Sequence, residues 1–405
     1  MQVLKNISTL YTCRREGLQQ NVHSIQHAAL VWVNGKFKWA GKEADLPAEF
    51  QSAEAVDANG NIVVPGLIDC HTHLCFGGWR PDEFEMRIRG KSYLEIAKAG
   101  GGILSTVEQT REATFEELYV KSASLLTKIM ALGVTTIECK SGYGLTLKDE
   151  IKQLRVYKKL QEQFPVDLKT TFLGAHTIPP EFKLNRKGYI DLIADVMIPA
   201  VADEKLADFC DVFVEESAFT VDEARRILET GKKYGLIPKL HADQLSSGYG
   251  AELSAEVGAI SADHLEQVSD EGLKKMAEHG VTGVTLPLAS LYTQQPYLDC
   301  RRLVNADVPV AVATDFNPGS APSYDLPLAM MLTCNHGRLT PAETLKAATI
   351  YAAKAIDMDE IAGSIEPGKK ADFLIINAPD VNFWMYHFGG SEIESIYIKG
   401  EILRA

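Results

Sequence analysis

Eight apolar stretches of strand length recur along the middle of this 405-residue chain, and helical patterns separate most of them. The stretches lie at residues 64–70, 134–140, 168–175, 210–215, 236–241, 258–264, 281–287 and 308–315. One intervening helix places Ile151, Leu154 and Leu160 on a single apolar stripe. Others are predicted at 116–132, 222–234 and 270–279, the last with Ser269 as its N-cap. The alternation predicts a (β/α)₈ barrel of the TIM type, with an open doubly wound sheet as the alternative.

Both ends of the chain read as short strands joined by turns. The runs 29–34 and 393–400 are rich in β-branched and aromatic residues and are bounded by Asn or Gly. We therefore expect one small β-sandwich-like domain formed from both termini, residues 1–62 and 357–405. The barrel would occupy residues 63–356.

The composition limits which partners the chain is expected to bind and in which cellular compartment it is expected to lie. The net charge is −13 and no block of five lysines or arginines occurs, which argues against nucleic acid or an acidic membrane as partner. Seven scattered cysteines without a Cys-x-x-Cys pair fit a reducing compartment. No signal-peptide core or membrane-length apolar run is evident, so the expected location is the cytoplasm.

Histidines and an aspartate lie where the predicted strands end. The first stretch ends in His71-Thr-His73, and alternate residues of a strand share a face, so both imidazoles can bind one ion. Later stretches end in His176, His241, His264 and Asp315. Barrel strands converge at these ends, so the set predicts a hydrolase with a Zn²⁺, Fe or Mn site.

These strand-end residues and the tail pattern 363–372 resemble the amidohydrolase superfamily. Within it, five motifs in order resemble the imidazolonepropionase family. The motifs are Phe76-Gly-Gly-Trp-Arg80, Gly100-Gly-Gly-Ile-Leu-Ser-Thr-Val107, Lys140-Ser-Gly-Tyr-Gly144, Gly174-Ala-His-Thr-Ile-Pro-Pro180 and Ala313-Thr-Asp-Phe-Asn-Pro-Gly-Ser320. The resemblance runs from about residue 60 to the end of the chain.

The resemblance implies hydrolysis of the ring C–N bond of 4-imidazolone-5-propanoate to N-formimidoyl-L-glutamate, in histidine degradation. It also implies a homodimer and one Zn²⁺ or Fe ion per subunit. The implied metal ligands are His71, His73, His241 and Asp315. The implied catalytic residues are Asp315, His264 and Gln244. The implied contacts to a carboxylate-bearing small substrate are Arg80, Tyr143, His176, Gln244, Asn317, Gly319 and Ser320, with Arg80 on the propionate.

Four points stay open. Related deaminases carry glutamate where this chain has Gln244, and glutamine cannot transfer a proton at neutral pH. Another amidohydrolase of cyclic amides or amidines, a nucleobase-type deaminase, and a non-catalytic scaffold remain alternatives. Glu215 is a candidate bridge to a second ion, although a single ion is expected. Lys140 is expected to pair with a carboxylate or with substrate.

Overall fold

A computed structural model describes residues 1–91, 95, 101–216 and 218–404. The strands are β1 (Gln2–Tyr11), β2 (Ser24–Val33), β3 (Lys36–Lys42), β4 (Glu54–Asp57), β5 (Ile62–Pro65), β6 (Leu67–Thr72), β7 (Val134–Lys140), β8 (Asp167–Ala175), β9 (Phe209–Val214), β10 (Ile237–Ala242), β11 (Ser261–His264), β12 (Thr282–Thr285), β13 (Val310–Val312), β14 (Phe373–Ile376), β15 (Ile393–Ile398) and β16 (Glu401–Arg404). The α-helices are Pro81–Ile88, Ile103–Glu112, Phe115–Met130, Leu147–Gln163, Arg186–Leu192, Ile198–Asp203, Val221–Lys233, Gly250–Val257, Asp270–His279, Pro287–Thr293, Cys300–Asn305, Leu326–Asn335, Pro341–Ala347, Ile350–Lys354 and Val381–Tyr386. None of the helices in these described ranges is long and apolar enough to cross a membrane.

The strands β6 to β13 form one parallel sheet in which each strand pairs with its neighbour in the chain. This order confirms the predicted barrel, since a doubly wound sheet reverses its strand order part-way. The sheet closes where β6 meets the segment after β13. There the Asp315 N–H donates to the His71 carbonyl (3.1 Å) and the His73 N–H donates to the Phe316 carbonyl (2.8 Å). We call this contact the seam.

The predicted helices are confirmed, and their N-termini show why they begin where they do. Helix Phe115–Met130 starts with a capping box between Thr114 and Glu117. Helix Asp270–His279 begins after Ser269, whose Oγ accepts from the Gly272 N–H at 2.8 Å, as its predicted N-cap role requires. These caps satisfy backbone N–H groups in the first turn of each helix.

Strands from both termini form the second sheet, in the order β16-β15-β14-β5-β1-β2-β3, with β4 beside β1. The ring of Trp32 in β2 lies 5.2 Å from that of Phe373 in β14 and 5.8 Å from that of Tyr397 in β15. Intervening strands separate these partners in the sheet, so the sheet must curl until its two halves face each other. This confirms the sandwich-like unit, while the domain limits at 62 and 357 stay a prediction.

The segment 76–112, expected to form pocket loops, contains the helices Pro81–Ile88 and Ile103–Glu112. Proline at the first helical position is a start signal that the sequence analysis did not use. Arg80, Phe84 and Ile103 line the cavity described below, so the segment contributes to the pocket as expected. Gly100 of the glycine motif lies outside the described residues.

The buried side chain of Gln19 links the N-terminal segment to the last barrel strand. Its Oε1 accepts from the Val310 N–H (3.1 Å) and its Nε2 donates to the Val310 carbonyl (2.9 Å). The amide therefore forms hydrogen bonds with both backbone polar groups of Val310, as a neighbouring strand would.

We expect Gln19→Ala to lower the free energy of unfolding by about 1–3 kcal/mol, because buried polar groups of Val310 lose this partner. Urea unfolding followed by circular dichroism measures the change. The exposed neighbour Gln20 offers a matched control, and Gln20→Ala should stay within about 0.5 kcal/mol of the parent. Equal stabilities of the two variants would contradict this role of Gln19.

Candidate metal centre and active site

The four predicted metal ligands meet at the carboxyl end of the barrel, beside the seam. His71 Nε2 lies 3.4 Å and His73 Nε2 lies 3.5 Å from the same oxygen, Asp315 Oδ1. His241, from β10, places its Nε2 3.4 Å from His73 Nε2. All four side chains are buried. Strand ends that are far apart in sequence thus bring three ring nitrogens and one carboxylate into contact.

Two of the imidazole rings, those of His71 and His241, contact a buried carboxylate through Nδ1, which turns the lone pair on Nε2 toward the other predicted ligands. Asp263 Oδ2 lies 2.6 Å from His71 Nδ1, and Asp211 Oδ1 lies 3.1 Å from His241 Nδ1. A carboxylate at Nδ1 keeps the proton there and leaves Nε2 free to bind metal. The buried His71 Nε2 has no hydrogen-bond partner among the described residues. The donor set fits a divalent cation that prefers nitrogen and oxygen ligands.

His264 completes a second group of facing nitrogens with His71 and His241, whose donor atoms lie within 4.8 Å of one another. The backbone of His264 has φ of +82° and that of Asp315 has φ of +53°. Such values are uncommon for side-chain-bearing residues and concentrate at functional sites. Glu266 Oε2 lies 3.7 Å from His264 Nδ1.

Burial and neighbouring charges shift the acidities of the site. Burial raises the pKa of Asp315 to about 7, although His264 opposes the shift. Burial likewise lowers the pKa values of His71 and His73 well below the usual value, which favours the neutral rings that bind metals. For His264 burial acts in the same direction, but the neighbouring carboxylates of Glu266, Asp315 and Asp263 together outweigh it and raise the pKa.

One cavity of about 780 Å³ opens above the metal ligands. Every residue predicted to bind substrate lines it: Arg80, Tyr143, His176, Gln244, Asn317, Gly319 and Ser320. The predicted catalytic residues His264 and Asp315 line it as well. The structure therefore brings all of these residues to one space, and their individual roles stay predictions.

An ion pair holds Arg80 at the cavity wall, and the missing side chain of a glycine leaves room for its guanidinium group. Its side chain is 9% exposed, and its Nε lies 3.1 Å from Glu83 Oε1. A Cβ added at Gly319 would lie 2.5 Å from a guanidinium nitrogen of Arg80, so only glycine permits this approach. Asn317 Oδ1 accepts from the N–H groups of Gly319 (2.8 Å) and Ser320 (2.7 Å), which fixes the loop.

Aromatic side chains form another part of the cavity wall, next to the predicted metal ligand His73. The His176 ring stacks on His73 with centroids 5.1 Å apart, and the Tyr143 ring lies 5.3 Å from His176. Burial lowers the pKa of His176 to about 3, so its ring is neutral near pH 7. His176 Nδ1 lies 3.0 Å from the Gly142 carbonyl, which requires the proton on Nδ1 and leaves Nε2 as an acceptor.

Comparisons with known proteins agree with these findings. The sequence model of the amidohydrolase family matches residues 213–403. Imidazolonepropionase from Geobacillus thermodenitrificans is 52% identical over 94% of this chain and 89% of that protein. Imidazolonepropionase from Alkaliphilus oremlandii is 44% identical over 99% and 97%. The chain belongs to the imidazolonepropionase family. This confirms the resemblance that the five motifs indicated.

Solved structures share the imidazolonepropionase fold at low identity. An adenosine deaminase from Xanthomonas campestris, with bound zinc, aligns with a TM-score of 0.72 at 18% identity, over 100% of this chain and 93% of that one. Guanine deaminase from E. coli aligns with a TM-score of 0.74 at 13% identity, over 99% and 98%. At these identities the likeness establishes the fold alone.

The carboxylates of Asp211 and Asp263 beneath the imidazolonepropionase site were not predicted from the sequence. They contact the predicted metal ligands His241 and His71, and the available signal was a charged residue inside a short buried strand. Lys140 pairs with carboxylates, one of its two expected partners, and lies 2.9 Å from Glu138 Oε1. Although burial opposes it, the surrounding carboxylates raise the pKa of Lys140.

Glu215 has a different position from the one proposed for a bridge between two ions. Its carboxylate accepts from the Leu245 N–H (2.9 Å) and from the backbone and side chain of Ser246. These bonds fix the loop that follows β10 and carries Gln244. Glu215 is therefore committed to the loop and is absent from the groups of described residues that can hold an ion.

Replacing one predicted metal ligand tests the centre directly. We expect His241→Asn to weaken metal binding by more than about tenfold, since even partners outside the ligand shell contribute tenfold or more. Chelator competition followed by metal analysis measures the affinity. His279→Asn, at the exposed end of helix Asp270–His279, is the control and should bind metal as the parent does. Unchanged affinity in His241→Asn would remove His241 from the ligand set.

Proposed function

We propose that this chain hydrolyses 4-imidazolone-5-propanoate to N-formimidoyl-L-glutamate. Water adds to the ring carbonyl carbon, the bond from that carbon to the ring nitrogen breaks, and the carbonyl becomes a carboxylate. The nitrogen leaves as part of the formimidoyl group after receiving a proton. The observation that carries the proposal is the cavity in which the His/Asp group and a buried arginine face the same space.

The ligand set we propose for a single Zn²⁺ or Fe ion per subunit is His71, His73, His241 and Asp315. Such an ion supplies a Lewis acid that lowers the pKa of a water molecule toward neutrality. The support is the convergence of the ring nitrogens on Asp315 Oδ1 and the carboxylates that orient two of the rings.

Proton movement is assigned to Asp315 and His264. Asp315 accepts a proton from the attacking water at a carboxylate oxygen and returns it to the departing ring nitrogen. His264 donates a hydrogen bond to the carbonyl oxygen as negative charge develops there. Glu266 Oε2 lies 3.7 Å from His264 Nδ1, so a proton on that nitrogen faces a carboxylate.

Substrate recognition is assigned to the two sides of the cavity. Arg80 binds the propionate through a two-pronged guanidinium contact, with Glu83 fixing the side chain. Tyr143 and His176 contact the ring from the other side. Asn317, Gly319 and Ser320 supply the loop that shapes the carboxylate end of the pocket. Gln244 hydrogen-bonds to the ring and orients it, because an amide both donates and accepts but transfers no proton.

The cellular location and the oligomeric state that we propose follow from the family resemblance. We place the enzyme in the cytoplasm, which the absence of disulfides supports, since all seven cysteines are free. We also propose a homodimer, which sedimentation analysis can test. A cyclic amide or amidine hydrolase of other specificity and a nucleobase-type deaminase are the alternatives that the substrate assay separates.

The decisive assay follows the ultraviolet absorbance of freshly prepared 4-imidazolone-5-propanoate with metal-loaded and metal-stripped protein in parallel. We expect rapid loss of substrate only with the loaded protein, together with accumulation of N-formimidoyl-L-glutamate. Loaded protein of verified metal content that leaves the spontaneous decay unchanged would overturn the proposed substrate. Adenine, guanine and other cyclic amidines would then be assayed for ammonia release.

The propionate contact is tested by Arg80→Met. We expect KM to rise about tenfold or more with a smaller change in kcat, because a hydrogen bond to a charged group contributes about 1.5–3 kcal/mol. Arg89, 72% exposed and paired with Glu85 nearby in the same segment, provides the matched control Arg89→Met. Equal KM values for the two variants would exclude Arg80 from substrate binding.

A further inference from the structure

Lys140 ends β7 with its ammonium group wholly buried beneath the metal ligands. The nitrogen lies 2.9 Å from Glu138 Oε1, 2.9 Å from Asp211 Oδ2 and 3.6 Å from Asp263 Oδ2. These three carboxylates come from β7, β9 and β11. A single cation therefore joins side chains from three barrel strands.

Two of these carboxylates are the ones that face metal ligands. Asp211 lies 3.1 Å from His241 Nδ1 and Asp263 lies 2.6 Å from His71 Nδ1. We propose that Lys140 is a positioning residue that sets the metal affinity of the centre by holding both carboxylates against their imidazoles. The inference rests on the metal site of the proposed function and is independent of the substrate.

The physical reason is that adjacent buried carboxylates repel each other unless a cation lies between them. Without Lys140, Asp211 would keep its bond from the His241 N–H and Asp263 its bond from Ser261 Oγ, but their mutual repulsion would turn each carboxylate away from its imidazole Nδ1. Both rings would then lose the contact that fixes their tautomer and orientation. The loss would act on His71 and His241 together, because the same ammonium contacts both carboxylates.

A second buried lysine provides the matched control. Lys239 in β10 donates to Ser261 Oγ (2.8 Å) and to the Ala355 carbonyl (3.0 Å), and it lies 3.8 Å from Asp263. Its removal also deletes a buried ammonium from the barrel interior. It contacts one of the two positioning carboxylates, whereas Lys140 contacts both.

The experiment titrates Co²⁺ into metal-free Lys140→Met, Lys239→Met and parent protein, with a competing chelator and visible absorption as readouts. We expect Lys140→Met to weaken Co²⁺ binding by about 10–100-fold, the range typical for partners outside the ligand shell, and to change the absorption band. Lys239→Met should weaken binding much less and keep the parent band. Parent-like affinity and absorption in Lys140→Met would overturn the proposal, and so would equal losses in both variants.

A double-mutant cycle separates positioning from general damage. If Lys140 acts through Asp211, Lys140→Met should cost less metal affinity in an Asp211→Asn background than in the parent. Additive losses would overturn that route. Thermal unfolding of the metal-free proteins checks folding, and Lys140→Gln replaces Lys140→Met if the latter does not fold. Failure of both to fold would assign Lys140 a structural role and overturn the proposal.

Because Co²⁺ binding is measured without substrate, its outcome is independent of the reaction. Protein that binds Co²⁺ as predicted but leaves 4-imidazolone-5-propanoate intact would overturn the proposed function alone. Protein that hydrolyses the substrate but tolerates Lys140→Met without loss of metal affinity would overturn this inference alone.

Discussion

The hydrogen bond between a buried carboxylate and the Nδ1 of a histidine that we propose as a metal ligand is the interaction on which the site depends. It occurs twice, from Asp263 to His71 and from Asp211 to His241. Each bond fixes which nitrogen carries the proton and turns the other nitrogen toward the shared space. Burial adds to the effect, since it favours the neutral rings. Without these bonds the same residues would still lie near one another, but their Nε2 atoms would not all face the same position.

The closure of the barrel and the assembly of the centre are the same structural event. The backbone of Asp315 bonds to His71, and that of His73 bonds to Phe316, so the seam carries three of the four proposed ligands. Separation of the first and last strands would therefore separate His71 and His73 from Asp315. Gln19, in the segment between β1 and β2, bonds to Val310 of β13, the strand that precedes this seam. We therefore expect the stability of the seam and the affinity for metal to be coupled.

Much of this arrangement could be predicted from the sequence, because parallel strands of a barrel end on one face. Strand-end position alone was enough to place His71, His73, His241 and Asp315 together. The positions of Asp211 and Asp263 could not be predicted in the same way. A charged residue within a short apolar strand gives no sign of which neighbour it meets, since that depends on register between strands.

Contacts between segments that are distant in the chain also could not be predicted from the sequence. Gln19 and Val310 are far apart in the chain and share no local pattern, so only the folded barrel reveals their pairing. The curl of the terminal sheet, seen in the contact of Trp32 with Phe373, likewise depends on long-range packing. The helix Pro81–Ile88 is different, because its N-terminal proline was a local signal that could have been used.

The glutamine at position 244 is consistent with ring hydrolysis when the proton transfers of the reaction are counted. Hydrolysis of a cyclic amide moves one proton from water to one departing nitrogen, and Asp315 lies among the proposed ligands where it can do both. A deaminase must in addition protonate a ring nitrogen and release ammonia, which calls for a second acid. Gln244 cannot serve as that acid, but its amide can hold the ring in place. Gln244 thus fits the simpler proton balance of amide hydrolysis.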